Sequence, residues 1–402
     1  MTGTPAKPPI GRNTLLLSAS MAMLYGMTQL SAAISSVTFA VVTGAGGLAG
    51  LGPAIFLATA ALSALPMGRA MDRFGRIPVL AVGYATGVLG SAATGFGAMW
   101  GSAVFVITGF VLIGIATAAG ILTRAAAADM YPPERRAWGI SLVLFGAVFG
   151  ALLGPLVFVP LTSGNGSPVA PWFGAAGFMA VGLVLVLCVR PDPKRIARMI
   201  GAEETNAEHS PAAPLSEILR RPGAVPALLA ALMSYAVMVG MMTLSGYILV
   251  GHGHHQGAVF PVISAHFIGM FGLVLVVGKI IDRIGRSTSL VGGLVLLGLS
   301  ALAVVWTVES VVLTSFALFG IGLGWNFSFV AATAELVDLA SPSERGKLLG
   351  FNDLLAGLLG ATLALSGGIV LAWVGLVGLG VAGFVLAVLP IIWILGLRSK
   401  PA

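Results

Sequence analysis

The chain has 402 residues, 57% of them hydrophobic and 9% charged, and a formal net charge of +7. Soluble domains carry about 25% charged residues. A chain of this length could form two or three soluble domains, but one this apolar would have no surface to show water, so lipid is its solvent.

Twelve apolar stretches follow one another at 14–43, 48–67, 77–97, 101–123, 137–160, 168–189, 223–251, 257–278, 287–306, 309–333, 348–372 and 373–397. Most reach the roughly 20 residues that cross a hydrocarbon core about 30 Å thick. The first run follows Lys7 and Arg12, is too long for a signal peptide and has no convincing small-residue cleavage site, so it reads as the first span. All 21 Lys and Arg fall at the termini or in alternate connections, at Lys7–Arg12, Arg69–Arg76, Arg124–Arg136, Arg190–Arg221, Lys279–Arg286, Arg345–Lys347 and Arg398–Lys400. The remaining connections, such as Thr43–Gly50, Thr162–Pro171 and Gly251–Gly257, have none. Positive charge collects on the cytoplasmic side, which predicts an even number of spans with both termini inside. The basic balance is therefore a topology signal and implies no nucleic-acid partner.

The second and third spans are joined by Gly68-Arg-Ala-Met-Asp-Arg-Phe-Gly-Arg76. This segment recurs 210 residues later as Gly278-Lys-Ile-Ile-Asp-Arg-Ile-Gly-Arg286. Gly68, Asp72, Arg73, Gly75 and Arg76 keep their spacing in Gly278, Asp282, Arg283, Gly285 and Arg286. The glycines suit a tight turn and close helix approach, and the aspartates can pair with arginine or a helix N-terminus. Plain positive-inside anchoring would need neither the Gly nor the Asp spacing. The repeated segment closely resembles the signature loop of the major facilitator superfamily. That resemblance implies a gating latch on the cytoplasmic side and a substrate site between the halves near the midplane. The expected architecture is an all-α membrane protein of twelve transmembrane helices in two pseudo-symmetric six-helix bundles. The N-terminal bundle is expected over 1–189, a cytoplasmic linker over 190–222 and the C-terminal bundle over 223–402. The linker is polar, carries Pro191, Pro193, Pro211, Pro214, Pro222, Glu203, Glu204, Glu208 and His209, and has room for a short amphipathic helix near Lys194–Ile200.

Along the fourth and fifth spans, Arg124 and Asp129 close the fourth on the basic side, and Gly146-x3-Gly150-x3-Gly154-Pro155 runs through the fifth. The glycines partly resemble the antiporter motif of drug exporters, but Phe158 and Val159 stand where that motif continues with glycine. Small residues at this spacing also let helices approach, and packing is the favoured reading. Cys188, the single cysteine, excludes an internal disulfide and any cysteine-cluster metal site. It reads as a packing residue near a helix end. Charged groups inside hydrocarbon are functional suspects, yet no carboxylate sits at a span centre. Arg124, Asp129, Glu335, Asp338 and Asp353 all lie near the basic side and read as interface or gate residues.

The seventh and eighth spans differ from this bland interior. The seventh holds Met238-x3-Met242, with Met233 and Met241 nearby. The outer connection reads Gly251-His-Gly-His-His-Gln-Gly257, and the eighth span holds His266-x3-Met270. Residues four apart share a helix face. Counted inward at about 1.5 Å per residue, Met242 and His266 lie roughly 12–13 Å deep, and Met238 and Met270 roughly 18–19 Å deep. Thioethers favour Cu(I) over hard cations, and imidazole also accepts copper. His252, His254 and His255 could capture copper at the mouth or form a solvated, pH-sensitive loop. A methionine pair alone is more often packing; the histidine at the same depth points to a metal path.

This pattern resembles the CcoA-like copper importers, bacterial members of the superfamily that supply copper for haem–copper oxidase assembly. The resemblance implies that Met238, Met242, His266 and Met270 bind copper in transit across the bacterial inner membrane. Copper would be the transported substrate; no cofactor, covalent chemistry or enzyme activity is expected. The bilayer, the copper ion and a cytoplasmic copper acceptor are the expected partners of a monomer. The same branch includes sequences similar to riboflavin importers. An importer of a neutral aromatic solute, using Gln29, Trp325, Asn326 and Asn352, therefore stays open, as does a drug exporter. A copper sensor reusing the fold is disfavoured by the lack of a sizeable soluble domain.

Overall fold

Without water to satisfy them, backbone N–H and C=O groups in a bilayer must bond within a helix or a closed barrel. This chain takes the helical solution. The structure, a computed structural model, describes residues 9–132, 135–162, 167–200 and 213–398, and no strand occurs among them. The N-terminal half contains α1 (Ile10–Thr43), α2 (Leu51–Phe74), α3 (Arg76–Trp100), α4 (Ala103–Ile121), α5 (Thr123–Asp129), α6 (Arg136–Leu144), α7 (Gly146–Thr162) and α8 (Val169–Leu187). Two short helices follow, α9 (Pro193–Met199) and α10 (Leu215–Ile218). The C-terminal half contains α11 (Ala224–Gly251), α12 (Val259–Phe267), α13 (Val274–Ile284), α14 (Arg286–Thr307), α15 (Val311–Leu339) and α16 (Pro342–Arg398).

Ten helical stretches among the described residues are long and apolar enough to cross a membrane. One of them, Lys347–Ile394, is 48 residues long and holds two spans. Its chain turns at Gly375, whose φ of 81° and ψ of −173° suit only glycine. The remaining span is α12 and α13, interrupted by a π-helical turn at Ile268–Gly272. Twelve transmembrane helices in two six-helix bundles result. Trp100, Trp306 and Trp373, at the ends of α3, α14 and the first arm of α16, are 59%, 71% and 86% exposed. All three lie on the side away from the basic residues, where amphipathic indoles mark a membrane–water interface.

The sequence repeat is also a repeat of contacts. Gly75 (φ 100°) and Gly285 (φ 87°) make the tight junctions between α2 and α3 and between α13 and α14. At the first junction Arg76 pairs with Asp72 at 2.8 Å and with Asp129, at the end of α5, at 2.6 Å. At the second, Arg286 pairs with Asp338 in the last turn of α15. Short α9 is tied to the first junction: Asp192 caps the Lys194 N–H at 2.8 Å and accepts from the Ile77 N–H at 2.9 Å. This helix stands where the linker has room for one. Glu203, Glu204, Glu208, His209 and Pro211 lie outside the described residues. Beyond α10, Arg221 makes a bidentate pair with buried Glu344, at 2.7 and 2.9 Å, and holds its carboxyl down to about 2.

The two halves meet most closely on the side away from the basic residues. There Ser36 donates to the Thr243 carbonyl at 2.8 Å, and Gln29 Nε2 reaches Ser264 Oγ at 2.5 Å and the Phe260 carbonyl at 3.2 Å. Ser264 in turn donates to the Ala151 carbonyl at 2.7 Å. On the basic side, Arg124 and Asp353 pair across the halves at 3.3 Å, both about half exposed.

Candidate functional site

The four residues of the seventh and eighth spans are all withdrawn from lipid. Met238, Met242, His266 and Met270 are 1%, 6%, 0% and 7% exposed. Both spans pack against α15. Helices approach this closely only where side chains are small, and two glycines provide the space. A Cβ on Gly322 of α15 would lie 2.3 Å from the His266 carbonyl oxygen, and one on Gly269 would lie 2.4 Å from that of Phe319. Backbone therefore packs on backbone over His266–Met270, and the imidazole can reach across.

His266 Nδ1 lies 2.8 Å from the Leu318 carbonyl oxygen. A carbonyl only accepts, so Nδ1 carries the proton, and the neutral ring keeps a bare lone pair on Nε2. That nitrogen is buried and has no hydrogen-bond partner. Metal-ligating histidines are held in this way, one ring N–H fixed by a carbonyl and the other nitrogen free to coordinate.

The helix that carries the methionines, α11, packs on α15 as well. Ser234 Oγ lies 2.5 Å from Ser328 Oγ, which fixes one face of α11 against α15. Met238 and Met242 follow Ser234 by four and eight residues, which sets them about 40° and about 80° round the helix from that contact. From this contact Met242 lies about 12 Å along α11, while Leu318 lies about 15 Å back along antiparallel α15. Met242 and His266 are thus within about one turn in depth, and Met238 and Met270 each lie a turn closer to the basic side. Met241 instead turns to the second arm of α16, where its sulfur would lie 3.7 Å from a Cβ on Gly383. Thioethers with an imidazole nitrogen are donors that suit a soft cation, and neither α11 nor α12 carries a carboxylate to attract a hard one.

The eighth span differs from the continuous helix expected of it. The π turn at Ile268–Gly272 encloses Met270, and such turns occur often at functional sites. Gly269 and Gly272, flanking Met270, were the only local sign.

Among the described residues no three of His, Cys, Asp and Glu come together as a metal-holding group. The loop histidines are thus not a preassembled three-ligand site. His252 Nδ1 bonds to the Ile248 carbonyl and His254 Nε2 to the Val308 carbonyl, each at 2.8 Å, while His255 is exposed.

The repeated loops pair within their own halves, as Arg76 does with Asp72 and Asp129. The side chain of Asp282 lies outside the described residues, and Arg73 and Arg283 are exposed. Gly68 and Gly278 have open space where a Cβ would stand, so neither serves a close approach here. The glycines of α7 do. A Cβ at Gly146, Gly150 or Gly154 would lie 2.1 Å from Ser18 O, 2.4 Å from Ala22 O or 1.8 Å from Gln29 Oε1, all on α1. Helix packing accounts for that spacing without an antiporter motif.

A cluster of rings begins beside His266 and extends toward the basic side. Tyr25 of α1 meets Phe267 and Phe271 edge-on at 5.9 and 5.1 Å. Phe271 meets Trp325 at 6.1 Å, and Trp325 stacks on Phe329 at 5.0 Å. Trp325 Nε1, both amide atoms of Asn326, Asn352 Oδ1 and Gln29 Oε1 are buried without partners.

The chain matches the family described as Major Facilitator Superfamily over residues 15–352 and 255–402. It is 32% identical over 384 residues to the uncharacterized MFS-type transporter YdeG of Bacillus subtilis, covering 93% of this chain and 89% of that one. It is also 31% identical over 304 residues to the riboflavin transporter RfnT of Brucella anthropi, covering 73% of each. Among solved structures, the partially occluded inward-open xylose transporter XylE from E. coli superposes with a TM-score of 0.69 at 14% identity, over 98% of both chains.

Proposed function

Because this chain belongs to the major facilitator superfamily, a family of membrane-embedded multi-pass transporters, we propose that it imports copper as Cu(I) across the bacterial inner membrane by alternating access. The observation that carries this reading is His266, with Nδ1 tied to the Leu318 carbonyl and a buried, unpartnered Nε2 within about one turn in depth of Met238, Met242 and Met270. An unpartnered polar group inside a membrane protein costs free energy, and a soft cation supplies the missing partner. Both termini and the basic loops face the cytoplasm in this reading. Copper arrives at the opposite face, meets His252, His254 and His255 one at a time, and passes to Met238, Met242, His266 and Met270. Release follows as the Arg124–Asp353 pair and the Asp72 and Asp282 loops separate, past Tyr25, Phe271 and Trp325, to a cytoplasmic acceptor.

Copper accumulation in cells tests this directly. His266→Ala is expected to lower it to the level of cells lacking the transporter while the protein still reaches the membrane. Normal accumulation would overturn the site.

A second reading has its own support. The similarity to RfnT and the unpartnered Trp325, Asn326 and Asn352 atoms beside stacked rings suit a neutral planar solute such as riboflavin. Uptake of radiolabelled riboflavin that depends on Asn326, and is indifferent to His266, would favour it over copper.

A further inference from the structure

At the basic end of α1 and α8 lies a shallow, open-sided cavity of about 460 Å³ on the surface, lined by Arg12, Leu16, Leu187, Cys188 and Arg190. It is remote from the methionine–histidine set and has no part in the route proposed for copper. Arg12 and Arg190 both line it, and among the described residues no carboxylate does. Arg12 donates to the Cys188 carbonyl at 3.0 Å, which leaves its positive charge uncompensated. Among the described residues neither arginine has a carboxylate partner. The nearby carboxylate, Asp192, is already occupied by the Lys194 and Ile77 N–H groups.

The walls of the cavity define the rest of the ligand. On the membrane side of the arginines stand Leu16 and Leu187, and Leu15 and Leu187 are 70% and 49% exposed along the lipid-facing surface. A molecule seated here meets positive charge at one end and an apolar, bilayer-facing wall at the other. Planar guanidiniums recognise phosphate oxygens through paired hydrogen bonds, and basic pockets at the ends of membrane helices favour acidic headgroups. We propose that this cavity is a binding site for an anionic phospholipid, with the phosphate between Arg12 and Arg190 and the acyl chains against Leu16 and Leu187. Free phosphate shares the headgroup chemistry but leaves the apolar wall unused.

Cys188 is the single cysteine of the chain, is exposed, and lines the cavity, so it reports on the site without any substitution. The test measures its alkylation by a neutral maleimide in the full-length protein held in nanodiscs. Three conditions are compared: phosphatidylcholine alone, phosphatidylcholine with phosphatidylglycerol, and phosphatidylcholine with inorganic phosphate in the buffer. Site occupancy slows a reaction by one plus the ratio of ligand to dissociation constant. Phosphatidylglycerol is therefore expected to slow alkylation about tenfold when present at about ten times that constant. The double variant Arg12→Gln/Arg190→Gln is expected to react at one rate with or without phosphatidylglycerol. A general effect of negative surface charge would persist in that variant and so is distinguished. Equal rates in the two lipid mixtures for the wild type, equal slowing by inorganic phosphate, or unchanged slowing in the double variant would each overturn the proposal.

Discussion

A methionine in an apolar helix can pack or coordinate, and burial cannot tell these apart: Met238, Met242 and Met270 are buried under either role. Leucine separates them, because it conserves volume and apolarity and such swaps in cores usually cost less than about 1.5 kcal/mol. Met242→Leu and Met270→Leu are therefore expected to fold, reach the membrane and lose most copper uptake. Uptake at the wild-type rate by both would reduce the methionines to packing. The imidazole is different, since its role was only half readable beforehand. His-x3-Met marks the residue and its depth, but the group that orients the ring is the backbone carbonyl of Leu318, and a carbonyl leaves no trace in residue identity. Ser234, which fixes the face presented by α11, is likewise one of many small polar residues until its contact with Ser328 is seen.

Among the elements, the interrupted eighth span and α15 form the critical pair. Their approach depends on Gly269 and Gly322, each facing backbone atoms that cannot move aside as a flexible side chain would. A methyl group at Gly322 would lie 2.3 Å from the His266 carbonyl oxygen. Gly322→Ala is thus expected to lower stability by about 1–3 kcal/mol, the cost of overpacking, and to withdraw the imidazole from Leu318 with loss of copper uptake. Gly278→Ala, with no described atom within 4 Å of its added methyl, is the control for stability and is expected not to lower it. Equal stability and uptake in both variants would contradict this packing account. Span positions were legible because each must be about 20 apolar residues long and because arginine and lysine mark one side. The π turn at Ile268–Gly272 was not, since flanking glycines permit a widened turn without requiring one. The glycine spacing of α7 fits two readings, and its close approach to α1 decides for packing.

For the molecule as a whole, alternating access requires the contacts on the side away from the basic residues to break. That side is held by the Ser36–Thr243 and Gln29–Ser264 hydrogen bonds between halves. A Cβ on Gly257 would lie 3.1 Å from Thr162 Oγ1 across the same boundary, within reach of a disulfide. In a Cys188→Ser background, Thr162→Cys/Gly257→Cys is expected to cross-link under oxidation, stop transport, and recover on reduction. Undiminished transport by the cross-linked protein would show that the halves need not part there. The two-bundle architecture was legible from the loop repeated 210 residues apart. The contacts that close the far side were not, because Gln29, Ser36 and Ser264 are uncharged and follow no repeat.

The most direct measurement of the central claim is X-ray absorption at the copper edge on purified protein loaded with one equivalent of Cu(I), in a Cys188→Ser background so that every sulfur ligand is a thioether. The account predicts a first shell of methionine sulfur with one imidazole nitrogen, the imidazole signal disappearing in His266→Ala. A shell of oxygen and nitrogen without sulfur, or a spectrum unchanged by His266→Ala, would contradict it.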